Sequence, residues 1–275
     1  MNANFGGASI ALLEARMSSE LSNLVRRFNG EPYSVPAVRE AKLDRPEDVS
    51  NFLDALGSGN VSVVVFTTGV GVVALCESAS GLGRLEELTD TLRRIEIVSR
   101  GPKPTAALSR MGLSPTIKVS EPYTTTETLE SLSTLELSGK TVAILHYGER
   151  NELLVSELMV RGAQLEELCL YEWRMPEDVD ALRRLVTELI DGRFAGIALT
   201  SQIQVRHLFQ VASEMGRTVE LKDALNEKTT VASIGPTCTH SLVNFGVTPH
   251  VVPEHPKMGL MISTLAEHIA ATRDR

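Results

Sequence analysis

The feature that most constrains this chain is a repetition. Residues 101–122, GPKPTAALSRMGLSPTIKVSEP, return without a gap as residues 235–256, GPTCTHSLVNFGVTPHVVPEHP, displaced by 134 positions and identical at seven of the twenty-two. Two further blocks repeat in the same order. VVFTTGVGVVAL (64–75) answers IALTSQIQVRHL (197–208) at a displacement of 133, and IALLEARMSSELSNLVRRFNGEP (10–32) answers VAILHYGERNELLVSELMVRGAQ (142–164) at 132. Such a period is too long for a solenoid, whose units run to roughly 20–50 residues. It implies two domain-sized halves, and a chain of 275 residues is long enough to give each its own core.

Each block reads as an apolar strand, a polar turn and an amphipathic helix. In the first, Ile10, Leu12 and Leu13 form the run, Ser18 or Ser19 can cap a helix, and Asn29-Gly30 stops it. Periodicity predicts further helices over 46–56, 85–94, 126–135, 176–190 and 258–272, alternating with strands over 61–66, 95–98, 194–199 and 230–234. Strands separated by helices of this length imply parallel sheets covered on both faces. The expected fold class is therefore α/β, with two similar doubly wound parallel-sheet, flavodoxin-like domains.

Composition narrows the function. The apolar share is 43% and no stretch is long and apolar enough for a bilayer span, so no membrane role is expected. The opening MNANFGGASIALLEAR has no basic head before its apolar run, which points to a cytoplasmic protein. Cys76, Cys169 and Cys238 are widely spaced, and the six histidines never pair at ligand spacing, so neither disulfides nor metal are expected. A net charge of -8 with scattered Lys and Arg opposes nucleic-acid binding, because a phosphate backbone demands a basic face. GVGVVA lacks the third glycine of a dinucleotide loop, Ala74 standing in its place, and the chain contains no phosphate-loop motif and no serine-nucleophile elbow. No cofactor is expected.

What remains is the turn chemistry. In a doubly wound sheet, ligands bind where strands end and helices begin, because unpaired backbone N–H groups and the positive helix end are exposed there. Each repeated GP segment follows a strand. Gly101 and Gly235 allow close backbone approach, proline sets the first helical turn, and Thr105 and Thr239 add hydroxyls.

The order and spacing of VVFTTGVGVVAL, RGPKPTAALSRMGL, GERNELLVSELMVRGAQLEELCLYEW, IALTSQIQVRHLF and the segment from IGPTCTHSLVNFGV to EHPKMGL resemble the uroporphyrinogen-III synthase family over nearly the whole chain. The resemblance implies two α/β domains joined by a two-stranded linker, with the active site in the cleft between them. The first domain would be discontinuous, 1–38 plus 173–275, with 39–172 inserted. YSVPAVRE and CLYEWRMP would be the crossing strands. The implied reaction is cyclisation of hydroxymethylbilane, a linear tetrapyrrole with eight carboxylates, to uroporphyrinogen III with inversion of its last ring, by a monomer that needs no cofactor or metal.

By the same resemblance Tyr171 faces the cleft and can protonate the departing hydroxyl, although a packing tyrosine at a strand edge has the same sequence signature. Thr67 and Ser201, in the Thr/Ser turns, and Thr237, in the second GP turn, are suited to carboxylates, or to capping helices. Arg100 and Lys103 sit beside a helix N-terminus, where the backbone dipole disfavours a cation unless an anion is bound. They read as carboxylate binders or as a solvated basic patch. Arg16 and Arg150 follow the first strands of the two copies and can point into the cleft. Cys238 stands where many relatives carry a second threonine. The alternative is a tetrapyrrole-sensing regulatory module of the same fold. The chain ends at EHIAATRDR without a DNA-binding extension, so the enzyme is the leading expectation.

Overall fold

β-Branched runs and short amphipathic helices alternate from end to end in the computed structural model, which describes residues 3–273. In chain order the elements are β1 (Ser9–Leu12), α1 (Ser18–Arg27), β2 (Glu31–Ser34), β3 (Arg39–Lys42), α2 (Pro46–Gly57), β4 (Val61–Phe66), α3 (Gly69–Gly81), α4 (Leu85–Leu92) and β5 (Glu96–Ser99). Then come α5 (Pro102–Arg110), β6 (Ile117–Lys118), α6 (Thr125–Leu132), β7 (Thr141–Leu145), α7 (Glu152–Val160), β8 (Gln164–Leu168) and β9 (Tyr171–Arg174). The chain closes with α8 (Val179–Ile190), β10 (Gly196–Leu199), α9 (Gln202–Glu214), α10 (Thr218–Glu227), β11 (Thr230–Ser233), α11 (Pro236–Asn244) and α12 (Met258–Arg273).

These elements form two compact units. One comprises the chain up to Arg39 and from Arg174 onward, and the other is Glu40–Trp173. β3 and β9, at the two passages between units, pair as a two-stranded ribbon. The discontinuous unit has a parallel sheet in the order β11-β10-β1-β2, and the inserted unit one in the order β6-β5-β4-β7-β8. In the first, a bridge from Ala232 to Val251 extends the edge beyond β11. The repeat displacements pair β1 with β7, β10 with β4 and β11 with β5, so the two sheets share one spatial order while their chain orders are circular permutations of each other.

The packing explains the apolar runs. In β4, Val61, Val64 and Phe66 join a core with α2, α3, α4 and α5, whereas Val63 and Val65 join a second core with α6 and α7. β1 splits likewise, Ala11 packing with α8 and α9, and Ile10 and Leu12 with α1 and α12. A strand buried on both faces cannot alternate apolar with polar residues, which is why these strands read as unbroken runs.

Several local expectations are corrected. Neither Ser18 nor Ser19 caps α1: Met17 occupies the cap without a side-chain bond, and Ser18 Oγ instead meets Ser34 Oγ at 2.7 Å. The helix expected over 176–190 starts at Val179, because Asp178 accepts from the Ala181 N–H at 2.8 Å. The crossing segment from Tyr33 is divided, with Tyr33 and Ser34 ending β2 and the ribbon beginning at Arg39. Periodicity predicts no element at α10, β6 or β8. α10 buries only Leu221, Ala224 and Leu225, and β8 is an edge strand whose Glu166 and Glu167 hide any apolar period.

Candidate active site

In the inserted unit the helices after β4 and β7 cover opposite faces of the sheet, so the strand order reverses between these neighbours. The crevice at the carboxyl ends of such strands is where open α/β sheets hold ligands. Thr67 and Thr68 leave β4 there, Ser99 and Arg100 leave β5, and His146 and Tyr147 leave β7.

Thr68 is the N-cap of α3, its Oγ1 accepting from the Gly71 N–H at 3.0 Å. The same oxygen lies 2.8 Å from the phenolic oxygen of Tyr171, whose side chain is 2% exposed. Burial raises the Tyr171 pKa, against the opposing effect of the Thr68 hydrogen bond, so the phenol keeps its proton across the physiological range. Around it stand Tyr147, edge-on at 6.3 Å between ring centroids, and Trp173, edge-on at 5.5 Å; Tyr147 and Trp173 are themselves 5.3 Å apart. Trp173 lies on the backbone of Gly148, which has φ +64; a Cβ there would come within 2.4 Å of the indole nitrogen.

Arg100 completes this wall. Its Nε donates to the Thr67 carbonyl at 3.3 Å, and its guanidinium sits 5.7 Å from the Tyr147 ring centroid. Burial pulls its pKa down, while the Tyr147 and Tyr171 phenols act in the opposite direction; a guanidinium nonetheless stays charged. Among the described residues these partners are a carbonyl and a ring face, so a half-buried cation is left for which an anion is the natural complement. The helix ends reinforce it. A Cβ on Gly69 would lie 2.8 Å from the Lys103 carbonyl, which shows how closely the first turns of α3 and α5 approach. Two positive helix ends therefore converge beside the arginine. The Lys103 side chain is exposed on the first turn of α5.

The other expected residues of this unit have defined places. Thr67 donates its hydroxyl to the Leu145 carbonyl at 2.6 Å. Gly101, with φ +95, is the cap of α5, and its carbonyl accepts from Thr105 Oγ1 at 2.9 Å. Thr105 also meets Ser99 Oγ at 2.8 Å, so its hydroxyl is committed within the turn. Arg150 belongs to another cluster: its guanidinium grips Glu167 through two 2.8 Å contacts and also pairs with Glu152. Glu167 in turn holds His146 Nε2 at 2.8 Å, while His146 Nδ1 accepts from the Asn151 N–H at 3.3 Å. This cluster flanks a cavity of about 400 Å³ bordered by Arg45, Asp48, Asn51, Phe52 and Cys169.

The discontinuous unit repeats the turns. Ser201 caps α9, accepting from the Gln204 N–H at 3.3 Å. Gly235 caps α11, its carbonyl accepting from Ser233 Oγ at 3.3 Å, and Thr239 donates to Ser233 at 2.9 Å. Thr237 is exposed in the first turn of α11. Cys238 is buried with its sulfur 3.6 Å from the Leu199 carbonyl, and burial pushes its thiol up to about 11. The crevice between β1 and β10 is occupied by Glu14, which binds the Thr200 hydroxyl, Gln204 Nε2 at 3.2 Å and the N–H groups of Arg16 and Met17.

Thr68, Tyr147, Trp173, Glu14 and Gln204 are not among the site residues expected from the sequence. The signals were present. A displacement of 133 pairs Ser201 with Thr68, and the only tryptophan of the chain stands two residues from Tyr171.

Fold and turns together define a protein of two doubly wound α/β units, with ligand-type turns at the carboxyl ends of parallel strands. The sequence profile of uroporphyrinogen-III synthase HemD matches residues 19–263, and the chain belongs to that family. It is 29% identical over 262 residues to uncharacterized protein YjjA of Bacillus subtilis, covering 95% of this chain and 96% of that one. A mutant uroporphyrinogen III synthase from Thermus thermophilus superimposes with a TM-score of 0.76 at 26% identity, covering 97% of this chain and all of that one. The uroporphyrinogen-III synthetase of Helicobacter pylori shares the fold at 15% identity, with a TM-score of 0.54 and coverage of 97% and 99%.

Proposed function

We propose that this chain is a cytoplasmic uroporphyrinogen-III synthase, which cyclises hydroxymethylbilane with inversion of its last ring to form a cyclic tetrapyrrole for haem-type cofactors. The observation that carries this reading is the pairing, at one crevice of the inserted unit, of a half-buried Arg100 with a buried, protonated Tyr171 and two further aromatic rings. A polycarboxylate with pyrrole rings and a hydroxyl to lose needs such a set. Membership of the HemD family supports the same activity.

In this mechanism Arg100, Lys103 and the N-termini of α3 and α5 hold substrate carboxylates, and Tyr147 and Trp173 offer ring faces to the pyrroles. Tyr171 gives its proton to the terminal hydroxyl, which leaves as water. The azafulvene that remains is attacked by the substituted carbon of the last pyrrole. The spiro intermediate opens and recloses in the other sense, and the proton lost as the ring regains aromaticity returns to the phenolate. Pyrroles are reactive on their own, so positioning and fixed dipoles carry most of the catalysis. On the discontinuous unit, Thr237 and the Gly235 turn are candidate carboxylate contacts.

Purified protein incubated with freshly generated hydroxymethylbilane should yield isomer III in excess over the isomer I that forms spontaneously. Isomer I alone would reject the enzyme reading, and binding of the tetrapyrrole without turnover would support the sensing module instead.

A further inference from the structure

We propose that Thr68 is a positioning residue that fixes the direction in which Tyr171 releases its proton, through a one-way hydrogen-bond chain from the Gly71 N–H to Thr68 to Tyr171. The inference rests on the proposed function for its kinetic consequence, but its geometry stands apart from it.

A backbone N–H can only donate, so the 3.0 Å bond from Gly71 makes Thr68 Oγ1 an acceptor. The hydroxyl has a single proton, and its other neighbour is the Tyr171 oxygen at 2.8 Å. Thr68 and Tyr171 are both buried, at 9% and 2% exposure, so water does not compete for that proton. If Thr68 accepted from Tyr171 as well, its own proton would be left against the packed first turn of α3, where Leu145 closes on Gly71. If Thr68 donates, each of its bonds is made, and the phenolic proton turns away from the helix, free for an acceptor on a ligand. As that proton departs, the Thr68 O–H already points at the oxygen where negative charge develops. The bond from Gly71, at the positive end of α3, polarises the Thr68 hydroxyl in the helpful sense. The equivalent cap in the other unit, Ser201, accepts in the same way from Gln204.

The test compares Thr68→Val, which is close in shape and lacks the hydroxyl, with Thr68→Ser, which keeps both bonds. Asp178→Ala serves as a control, because it removes a helix cap of the discontinuous unit outside the site. With hydroxymethylbilane, Thr68→Val is expected to lower kcat about tenfold with KM within about twofold, a modest share of what a positioned acid contributes. Thr68→Ser should recover most of that loss, and adding Thr68→Val to Tyr171→Phe should lower kcat little further. Asp178→Ala should lower the melting temperature and leave kcat intact. The second readout needs no turnover. The Tyr171 13Cζ resonance, assigned by its absence in Tyr171→Phe, should shift in Thr68→Val and stay in place in Thr68→Ser. An unmoved resonance in Thr68→Val overturns the proposal, as does a kcat that falls equally in the Val and Ser variants. If the wild-type chain turns over no substrate, the functional reading fails and the resonance alone decides the hydrogen-bond chain.

Discussion

The two units build the same turn twice and use it differently. Ser99 and Thr105 meet at 2.8 Å in one, and Ser233 and Thr239 at 2.9 Å in the other; both serines lie 3.3 Å from the carbonyl of the capping glycine. Around that shared frame the side chains diverge. Arg100 and Lys103 stand in the inserted unit where Ile234 and Thr237 stand in the discontinuous one. At the strand-order reversal, one crevice holds Thr68, Tyr171 and an aromatic wall, whereas the other is filled by the carboxylate of Glu14. Duplication thus preserved the devices that start helices, and specialisation took place in the side chains around them. Among the described residues, one crevice carries a cation with no carboxylate paired to it, and the other supplies its own anion.

The largest expected effect tests the specialised crevice. Tyr171→Phe should lower kcat about a hundredfold while changing KM much less, as loss of a general acid does. An unchanged rate in a steady-state assay would remove Tyr171 from the acid role. Arg100→Ile copies the discontinuous unit's residue into the inserted unit and should raise KM about tenfold at low salt, in the range of a lost charge-assisted contact. The difference should shrink as salt is added if part of the attraction is long-range. Equal affinities at every ionic strength would make Arg100 a structural residue.

Smaller effects probe what fills each crevice. Glu14→Ala removes the acceptor of two side chains and two backbone N–H groups, and should cost about 1–3 kcal/mol in urea unfolding. Full stability would show that the discontinuous unit's crevice does not depend on its internal carboxylate. The smallest effect concerns His146, whose pKa burial lowers against the opposing effect of Glu167. The unfolded chain therefore binds the proton first, and stability falls as pH drops below about 6.5, with a slope of at most about 1.4 kcal/mol per pH unit until the folded form protonates. Glu167 itself is held low: burial pushes it up, but the bonds from Arg150 and His146 outweigh that, and its contribution is lost at more acidic pH, below about 4.3. His146→Gln should flatten the upper of these two limbs in a series of melts. An unaltered limb would assign the acid sensitivity to other groups, such as His250, whose pKa burial also lowers.

Much of this was legible in the sequence where burial dictates residue type. β4 and β7 read as strands because both faces are covered, and α5 and α11 read as helix starts because glycine then proline suits that junction. Edge strands such as β8 and the polar helix α10 left no period to read, since each buries too little. The site was legible only in part. Tyr171 and Arg100 each stand out singly, and nothing in the spacing of residues 68, 100, 147, 171 and 173 shows that they meet.

The repeat in the sequence by itself determined two α/β units with helix-starting turns at equivalent places, because strand burial and helix capping are local demands that residue type can answer. Tertiary structure alone decided which hydroxyls are spent inside the turns, which cation meets a carbonyl and a ring face rather than a carboxylate among the described residues, and which crevice is filled by its own glutamate. Those outcomes depend on distances of about 3 Å between residues far apart in the chain, and a hydrogen bond exists only when such a distance is met.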